Sequence, residues 1–350
     1  MRWTTYVSRR DGLEHIGIVV NGRIHGLAGH GRLLDLLGDD GTMLAETGAR
    51  ALSHPWETIA LAGAPLRAPI PVPPSIRDFM AFEEHVVTSA RALDHDVDPV
   101  WYEMPVFYFT NPAAVYGPND DIPVAPGSQA WDYELEIAAV IGRGGRDLDP
   151  ATAEEHIAGY LIFCDWSARD LQGSEMRAHL GPAKGKDTAT TLGPWLVTPD
   201  ELAPRRAGNA YDLEMTASVN GEVWSRGNMS TIYWSFGQLL AYASRGTVLR
   251  PGDIIGSGTV GTGCILELSR VHGSERYPWL TPGDVVTLEI AGLGPSSPAS
   301  WPGRRSCRSS GTPRRRRAWP DRSRSHRRPG RRDGRRRPAS GRHPPVAESG

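Results

Sequence analysis

Apolar and polar positions alternate with the two-residue period of a β-strand through most of this chain, and the helical period surfaces only in short interruptions. Trp3-Thr4-Thr5-Tyr6-Val7 and His15-Ile16-Gly17-Ile18-Val19-Val20 read as strands. Asn21-Gly22, placed before Arg23-Ile24, is a strong hairpin signal because both residues accept the positive φ of a two-residue turn. After a helical stretch near 32–37, the run Ala68-Pro69-Ile70-Pro71-Val72-Pro73-Pro74 predicts an extended linker. It closes a small β-rich N-terminal domain over residues 1–70.

From Ser75 the pattern predicts a helix over 79–93 and then a long series of strands: 106–109, 133–141, 160–164, 195–198, and 213–219 turning at Asn220-Gly221 into 222–224. A helix over 231–244 interrupts them. Pro251-Gly252-Asp253 and Pro282-Gly283-Asp284 each set a turn ahead of a further strand. Many strands and few helices predict a mostly β (α+β) fold built on a mixed sheet, with residues 75–294 as its main domain.

At 350 residues and 39% hydrophobic content the chain can bury one large core or two modest ones. Its formal charge of −1 hides an asymmetry: residues 295–350 hold 17 Arg against Asp321, Asp333 and Glu348, a net of +14, which leaves about −15 on the rest. That Arg/Pro-rich tail has too few aliphatic residues to offset the entropy of ordering, so disorder is expected there. The abrupt change of composition after Gly294 is what a shifted reading frame in a GC-rich gene would produce. A basic arm for nucleic acid is disfavoured, because only Trp319 is interleaved for stacking. Cys164, Cys264 and Cys307 lack metal-type spacing and imply a reducing compartment. With no apolar targeting segment and no stretch of eighteen apolar residues, a cytoplasmic protein without a membrane partner is expected.

The candidate chemistry lies in Tyr133-Glu134-Leu135-Glu136-Ile137-Ala138-Ala139-Val140-Ile141. Two residues apart on a strand share a face, so Glu134 and Glu136 point the same way while Leu135 and Ile137 point into packing. Buried together, such carboxylates need a cation; on an edge strand they would only face solvent. Asp165 ends the apolar run Tyr160-Leu161-Ile162-Phe163-Cys164 and offers a third oxygen; an aspartate there, taken alone, more often caps a helix, here one starting near Ser167, and the combination with the two glutamates favours the ligand. Asp78 offers a fourth, and His85, seven positions on, would share its face if both were helical. Four hard oxygens suit Mg²⁺ or Mn²⁺, or else Ca²⁺, better than zinc.

The ordered blocks RDFMAFEEHV, MPVFYFTNPAAV, WDYELEIAAVIG, FCDWSARDLQ, KGKDTATTLGPWLV, RPGDIIGSGTVGTG and CILELS resemble the fumarylacetoacetate hydrolase family over roughly 70–294. The resemblance implies a β-roll or sandwich of that family's C-terminal type, with metal ligands at Asp78, Glu134, Glu136 and Asp165. It makes His85 a general base held by Glu267, and expects one active-site lysine, Lys184 or Lys186. Tyr108, Gln172, Gly258 and Thr259 match substrate-contact positions. Met80 and Met176 stand where some members carry tyrosine, and the closing strand after EIAGLG is replaced by the tail.

What the resemblance implies is a divalent-metal-dependent hydrolase, a homodimer active in aromatic catabolism, that cleaves a carbon–carbon bond in a small 1,3-dicarbonyl or acylpyruvate-like acid. A decarboxylase, isomerase or hydratase acting on a 2-oxo acid through the same bound enolate is the alternative. A non-catalytic metal-binding or nucleic-acid-binding protein is the alternative of another class.

Overall fold

The computed structural model describes residues 1–29, 31–92 and 96–294. The expectations for the Arg-rich tail, its disorder included, fall on 295–350 and lie outside the described residues. Two hairpin turns form where the sequence marked them. Val20 pairs with Arg23 across Asn21 and Gly22 (φ 48° and 69°), and Val219 with Glu222 across Asn220 and Gly221 (φ 53° and 87°).

A twelve-stranded mixed sheet dominates the fold. From one edge its strands are Glu57–Ala60, Arg23–Gly26, Glu14–Val20, Arg2–Val7, Thr190–Val197, Ile157–Asp165, Leu135–Ile141, Ile254–Gly256, Ile76–Phe79 and Phe107–Thr110, and two short strands attach beside this path. Ile254–Gly256 runs parallel to Ile76–Phe79, whereas the other neighbours in this order are antiparallel. The N-terminal strands join the rest through Arg2–Val7 pairing with Thr190–Val197, so the first residues extend the central sheet. A second sheet of Glu222–Asn228, Glu214–Val219 and Val286–Ile290 stands apart.

The two-residue period decides which side chains go where. Leu135, Ile137, Ala139 and Ile141 pack in one core with Met215, Ala217, Val219 and Ile290 of the second sheet. Ala138 and Val140, on the opposite face, pack in another with Trp3, Ile16, Ile18, Leu161, Phe163 and Leu196. The Leu135–Ile141 strand is therefore buried on both faces, and Glu136 has no solvent side to escape to. Among the described residues no helix is long and apolar enough to cross a membrane.

One local expectation is corrected, and two helices appear that the sequence pattern did not mark. Helix begins only at Glu83 and runs to Ala92, while Asp78 sits on the Ile76–Phe79 strand, paired with Gly256 on one side and Tyr108 on the other. Asp78 and His85 thus stand on different elements and not as neighbours on one helix face; cross-strand pairing overrides the local helical pattern. Glu267 lies on the Ile265–His272 helix, whose Ile265 and Leu268 face the core. A further helix, Thr42–Ser53, is absent from the sequence-based expectations although Leu44, Gly48 and Ala51 bury one face at helical spacing.

Candidate metal and catalytic centre

Four strand-end carboxylates converge. One oxygen each of Asp78, Glu134, Glu136 and Asp165 lies within 4.8 Å of the others, and all four residues are buried. Their convergence follows from strand order: Ile254–Gly256 separates the strands carrying Asp78 and Glu136, and its last residue has no side chain. A Cβ at Gly256 would lie 2.4 Å from Asp78 Oδ1 and 3.4 Å from Glu136 Oε2. Glycine here is the gap through which two carboxylates on either side reach each other.

Each carboxylate has a different surrounding. Gly258 N–H donates to Glu136 Oε2 at 3.0 Å, and the Thr259 hydroxyl donates to Oε1 at 3.4 Å. The Tyr108 hydroxyl lies 2.5 Å from Asp165 Oδ2 and 3.2 Å from Asp78 Oδ2. Lys186 Nζ is 2.5 Å from Asp165 Oδ2 and also pairs with Glu134. Asp78 Oδ1 and Asp165 Oδ1 remain buried with no hydrogen-bond partner.

The electrostatics follow. Burial, with the charges of Asp78 and Glu134 added, pushes Glu136 well above the usual carboxylate range. Burial raises Asp165 as well, against the pull of Lys186, and lifts Asp78 to about 6. Burial would also raise Glu134, but Lys186 and Arg169 outweigh it and hold this carboxylate below its ordinary value. Lys186, though buried, is kept charged by Asp165 and Glu134. Unpartnered carboxylate oxygens crowded around one point are a donor set that fits a hard divalent ion.

Beside the cluster stands a second buried pair. His85 Nδ1 lies 2.9 Å from Glu267 Oε2, and the two side chains are 9% and 1% exposed. The contact is an ion pair by distance, without the alignment of a hydrogen bond. Burial alone would lower the imidazole pKa; the Glu267 charge reverses this, and the net shift is upward.

Of the two candidate lysines, Lys186 reaches the cluster. Lys184 is 67% exposed and pairs with Asp187 at 2.7 Å. Two residues along the loop separate an interior side chain from a surface one. Gln172 stands behind the cluster, where its Oε1 accepts from Arg169 Nη1 at 3.1 Å.

Sequence reasoning passed over four residues. Arg169 bridges Asp132 and Glu134 at 2.8 and 2.7 Å. Asp132 also accepts the Ile265 and Leu266 amides at 2.7 and 3.1 Å, which fixes the start of the helix carrying Glu267. The Glu175 carboxylate accepts from the backbone amides of Ala183, Lys184 and Gly185, and so shapes the loop that delivers Lys186. Gly256 is the fourth. A signal existed for Asp132, since Asp132, Glu134 and Glu136 continue one two-residue alternation.

The family model described as fumarylacetoacetate hydrolase, C-terminal, matches residues 75–297. The chain belongs to the fumarylacetoacetate hydrolase family. Among curated relatives, the fumarylacetoacetase of Arabidopsis thaliana is 32% identical over 60% of this chain and 63% of its own length. The chain therefore spans less than two thirds of that relative. A fumarylacetoacetate hydrolase structure from Exiguobacterium antarcticum matches with TM-score 0.66 and 28% identity, covering 84% of this chain and 96% of the other. A 5-carboxymethyl-2-hydroxymuconate delta-isomerase structure from Mycobacterium smegmatis matches with TM-score 0.60 and 27% identity over the same shares. Within this family, then, the fold is shared by proteins named for hydrolysis and for isomerisation.

Proposed function

We propose that this fumarylacetoacetate hydrolase family member is a divalent-metal-dependent hydrolase that cleaves a carbon–carbon bond in an acylpyruvate-like 1,3-dicarbonyl acid. The observation that carries the reading is the convergence of Asp78, Glu134, Glu136 and Asp165 beside buried, charged Lys186. These four carboxylates would hold Mg²⁺ or Mn²⁺, which when bound supplies Lewis-acid polarisation of the substrate's carbonyl oxygens.

The chain's own residues do the rest. His85, made more basic by the Glu267 charge, takes a proton from the water that attacks the distal carbonyl. The carbon–carbon bond breaks with its electrons on the pyruvate side, and the resulting enolate oxygen is stabilised by the Lys186 ammonium. The proton held by His85 returns to the enolate carbon. Asp132 and Arg169 join the two halves of the site, since one arginine touches Glu134 and Asp132 holds the helix of Glu267.

A second reading is favoured by the likeness to an isomerase: the same bound enolate protonated at another carbon gives isomerase chemistry, formed by decarboxylation gives decarboxylase chemistry, and protonated with addition of water to the neighbouring double bond gives hydratase chemistry. The His85–Glu267 pair supports hydrolysis over isomerisation and decarboxylation, because water attack needs a base and those two outcomes consume no water; a hydratase would use the same base. A panel of acylpyruvates, oxaloacetate and 2-hydroxy-dienoates, assayed with Mg²⁺ and Mn²⁺, separates them. Release of pyruvate and a free carboxylic acid from an acylpyruvate is the expected result; turnover confined to oxaloacetate or to the dienoates overturns the hydrolase reading.

A further inference from the structure

A second set of metal-binding side chains lies outside the carboxylate cluster. His85, Cys264 and Glu267 are all buried, and one donor atom of each lies within 4.8 Å of the others. Glu267 Oε2 is the hub, 2.9 Å from His85 Nδ1 and 3.5 Å from Cys264 Sγ. A nitrogen, a sulfur and an oxygen form a set that zinc and cadmium favour and that magnesium does not. Around a tetrahedral zinc, nitrogen and oxygen donors stand roughly 3.3 Å apart and sulfur and oxygen roughly 3.5 Å. The two separations from Glu267 Oε2 need adjustment only in tenths of an ångström, and the His85 nitrogen and Cys264 Sγ lie within 4.8 Å of each other.

An independent feature points the same way. His85 is only 7% exposed, yet its Nδ1 has no hydrogen-bond partner despite facing Glu267 Oε2. A buried ring nitrogen held by a carboxylate only as an unaligned ion pair can give its lone pair to an ion which that carboxylate shares. The fold holds the three in place: the Ile265–His272 helix carries Glu267 with Cys264 at its start, and it packs on the Glu83–Ala92 helix that carries His85.

We propose that His85, Cys264 and Glu267 form a soft-metal site, distinct from the four-carboxylate centre, at which Zn²⁺ or Cd²⁺ inhibits the protein. On binding, the Cys264 Sγ–H proton goes to solvent and the His85 Nδ1–H proton is lost, the neutral ring keeping its hydrogen on Nε2; bonds form from the metal to Sγ, Nδ1 and a Glu267 oxygen, water completes the coordination, and no electrons are transferred. The two centres sort ions by donor type, with hard ions among the carboxylates and thiophilic ions here. Inhibition rests on the reading of His85 as the base, whereas the existence of the site does not.

The test uses the full chain, loaded with Mg²⁺ and carrying Cys307→Ser to remove the tail thiol. Cadmium is titrated while the ultraviolet thiolate-to-cadmium charge-transfer absorbance is followed, and acylpyruvate turnover is measured against Zn²⁺ relative to each variant's own zinc-free rate. One cadmium per chain with a thiolate band is expected, lost in Cys264→Ser and in Cys264→Ala but kept in Cys164→Ser, with zinc sensitivity reduced at least tenfold in both Cys264 variants. Circular dichroism identifies any variant that has failed to fold, and the paired serine and alanine replacements guard against losing both. A band that survives in folded Cys264→Ser, or is absent from the parent, overturns the site. A Cys264-dependent band without inhibition keeps the site and overturns His85 as base.

Discussion

Arg77 and Asp78 are adjacent on one short strand and are 6% and 2% exposed, yet their surroundings differ in kind. Arg77 lies 3.5 Å from Asp253 Oδ2 and donates to Ser75 Oγ at 2.8 Å, while Asp253 also accepts from Ser75 Oγ and the Arg250 amide. One positive charge meets one negative charge, and both Asp253 oxygens are bonded. Asp78 instead joins three further carboxylates that face Lys186 and an arginine already shared with Asp132, and its Oδ1 has no donor. A buried charge balanced by one opposite charge holds the strand in place, even with Arg77 Nε left unbonded; a buried charge crowded by like charges marks where something else binds. The difference separates structure from function within two residues.

The sharpest way to break this contrast is to neutralise one acid from each side. Glu136→Gln should abolish Mn²⁺ binding in isothermal titration and cut turnover by about 10³-fold or more, the scale expected when an electrostatic element of catalysis is lost. Asp253→Asn should leave Mn²⁺ affinity unchanged while costing about 3–5 kcal/mol in denaturant unfolding, as when one partner of a buried pair is removed. Equal metal affinity in both variants would mean that the contrast has no functional meaning.

His85→Ala divides the centre itself. Turnover should fall by about 10²–10⁴-fold, the worth of a general base, while Mn²⁺ still binds. The lysines give a third comparison. Lys186→Ala should lower kcat by about 10²-fold, and Lys184→Ala, on the surface, should change neither rate nor stability beyond about 0.5 kcal/mol. The reverse order would return the choice of lysine to Lys184.

A smaller effect follows from His85's raised pKa. The base works when neutral, so a raised value moves the acid limb of the rate profile above the ordinary histidine value of about 6.5. Glu267→Gln removes the charge that raises it and leaves burial to lower it, so the limb should shift toward lower pH. A limb that does not move shows that another group titrates.

The mildest effect concerns stability. In the metal-free protein Asp78 is raised to about 6 and Glu136 and Asp165 further, so each binds its proton more tightly folded than unfolded. Stability from these groups is then lost as pH rises from about 4 through about 6 and beyond. With chelator present, Tm should fall between about pH 5 and about pH 8, and the gain on adding Mn²⁺ should be larger at the higher pH. A gain independent of pH would show that the carboxylates do not take up the ion.

The acid pair Glu134 and Glu136 was legible because a two-residue period is local, and Asp165 because it ends an apolar run. Asp78 was found with the wrong local structure: Ile76-Arg77-Asp78-Phe79 is too short for its pattern to outweigh the helix beside it, and only its partners on either side make it a strand. Arg169 and Gly256 were not legible. An arginine beside an aspartate reads as surface charge until the fold buries it, and a glycine shows its purpose only once two flanking strands bring carboxylates against it. The choice between Lys184 and Lys186 turned on which side of a loop faces inward, and there Glu175 decides by gripping the backbone from another helix. The period of a strand can be read from its own residues, whereas the partners across strands are set by the chain's path.

Anomalous diffraction from crystals grown with Mn²⁺ tests the central claim most directly. One manganese peak is predicted within about 2.0–2.6 Å of oxygens from Asp78, Glu134, Glu136 and Asp165, with His85 and Glu267 outside its coordination shell. Manganese bound elsewhere, with the four carboxylates contacting only protein and water, would contradict it.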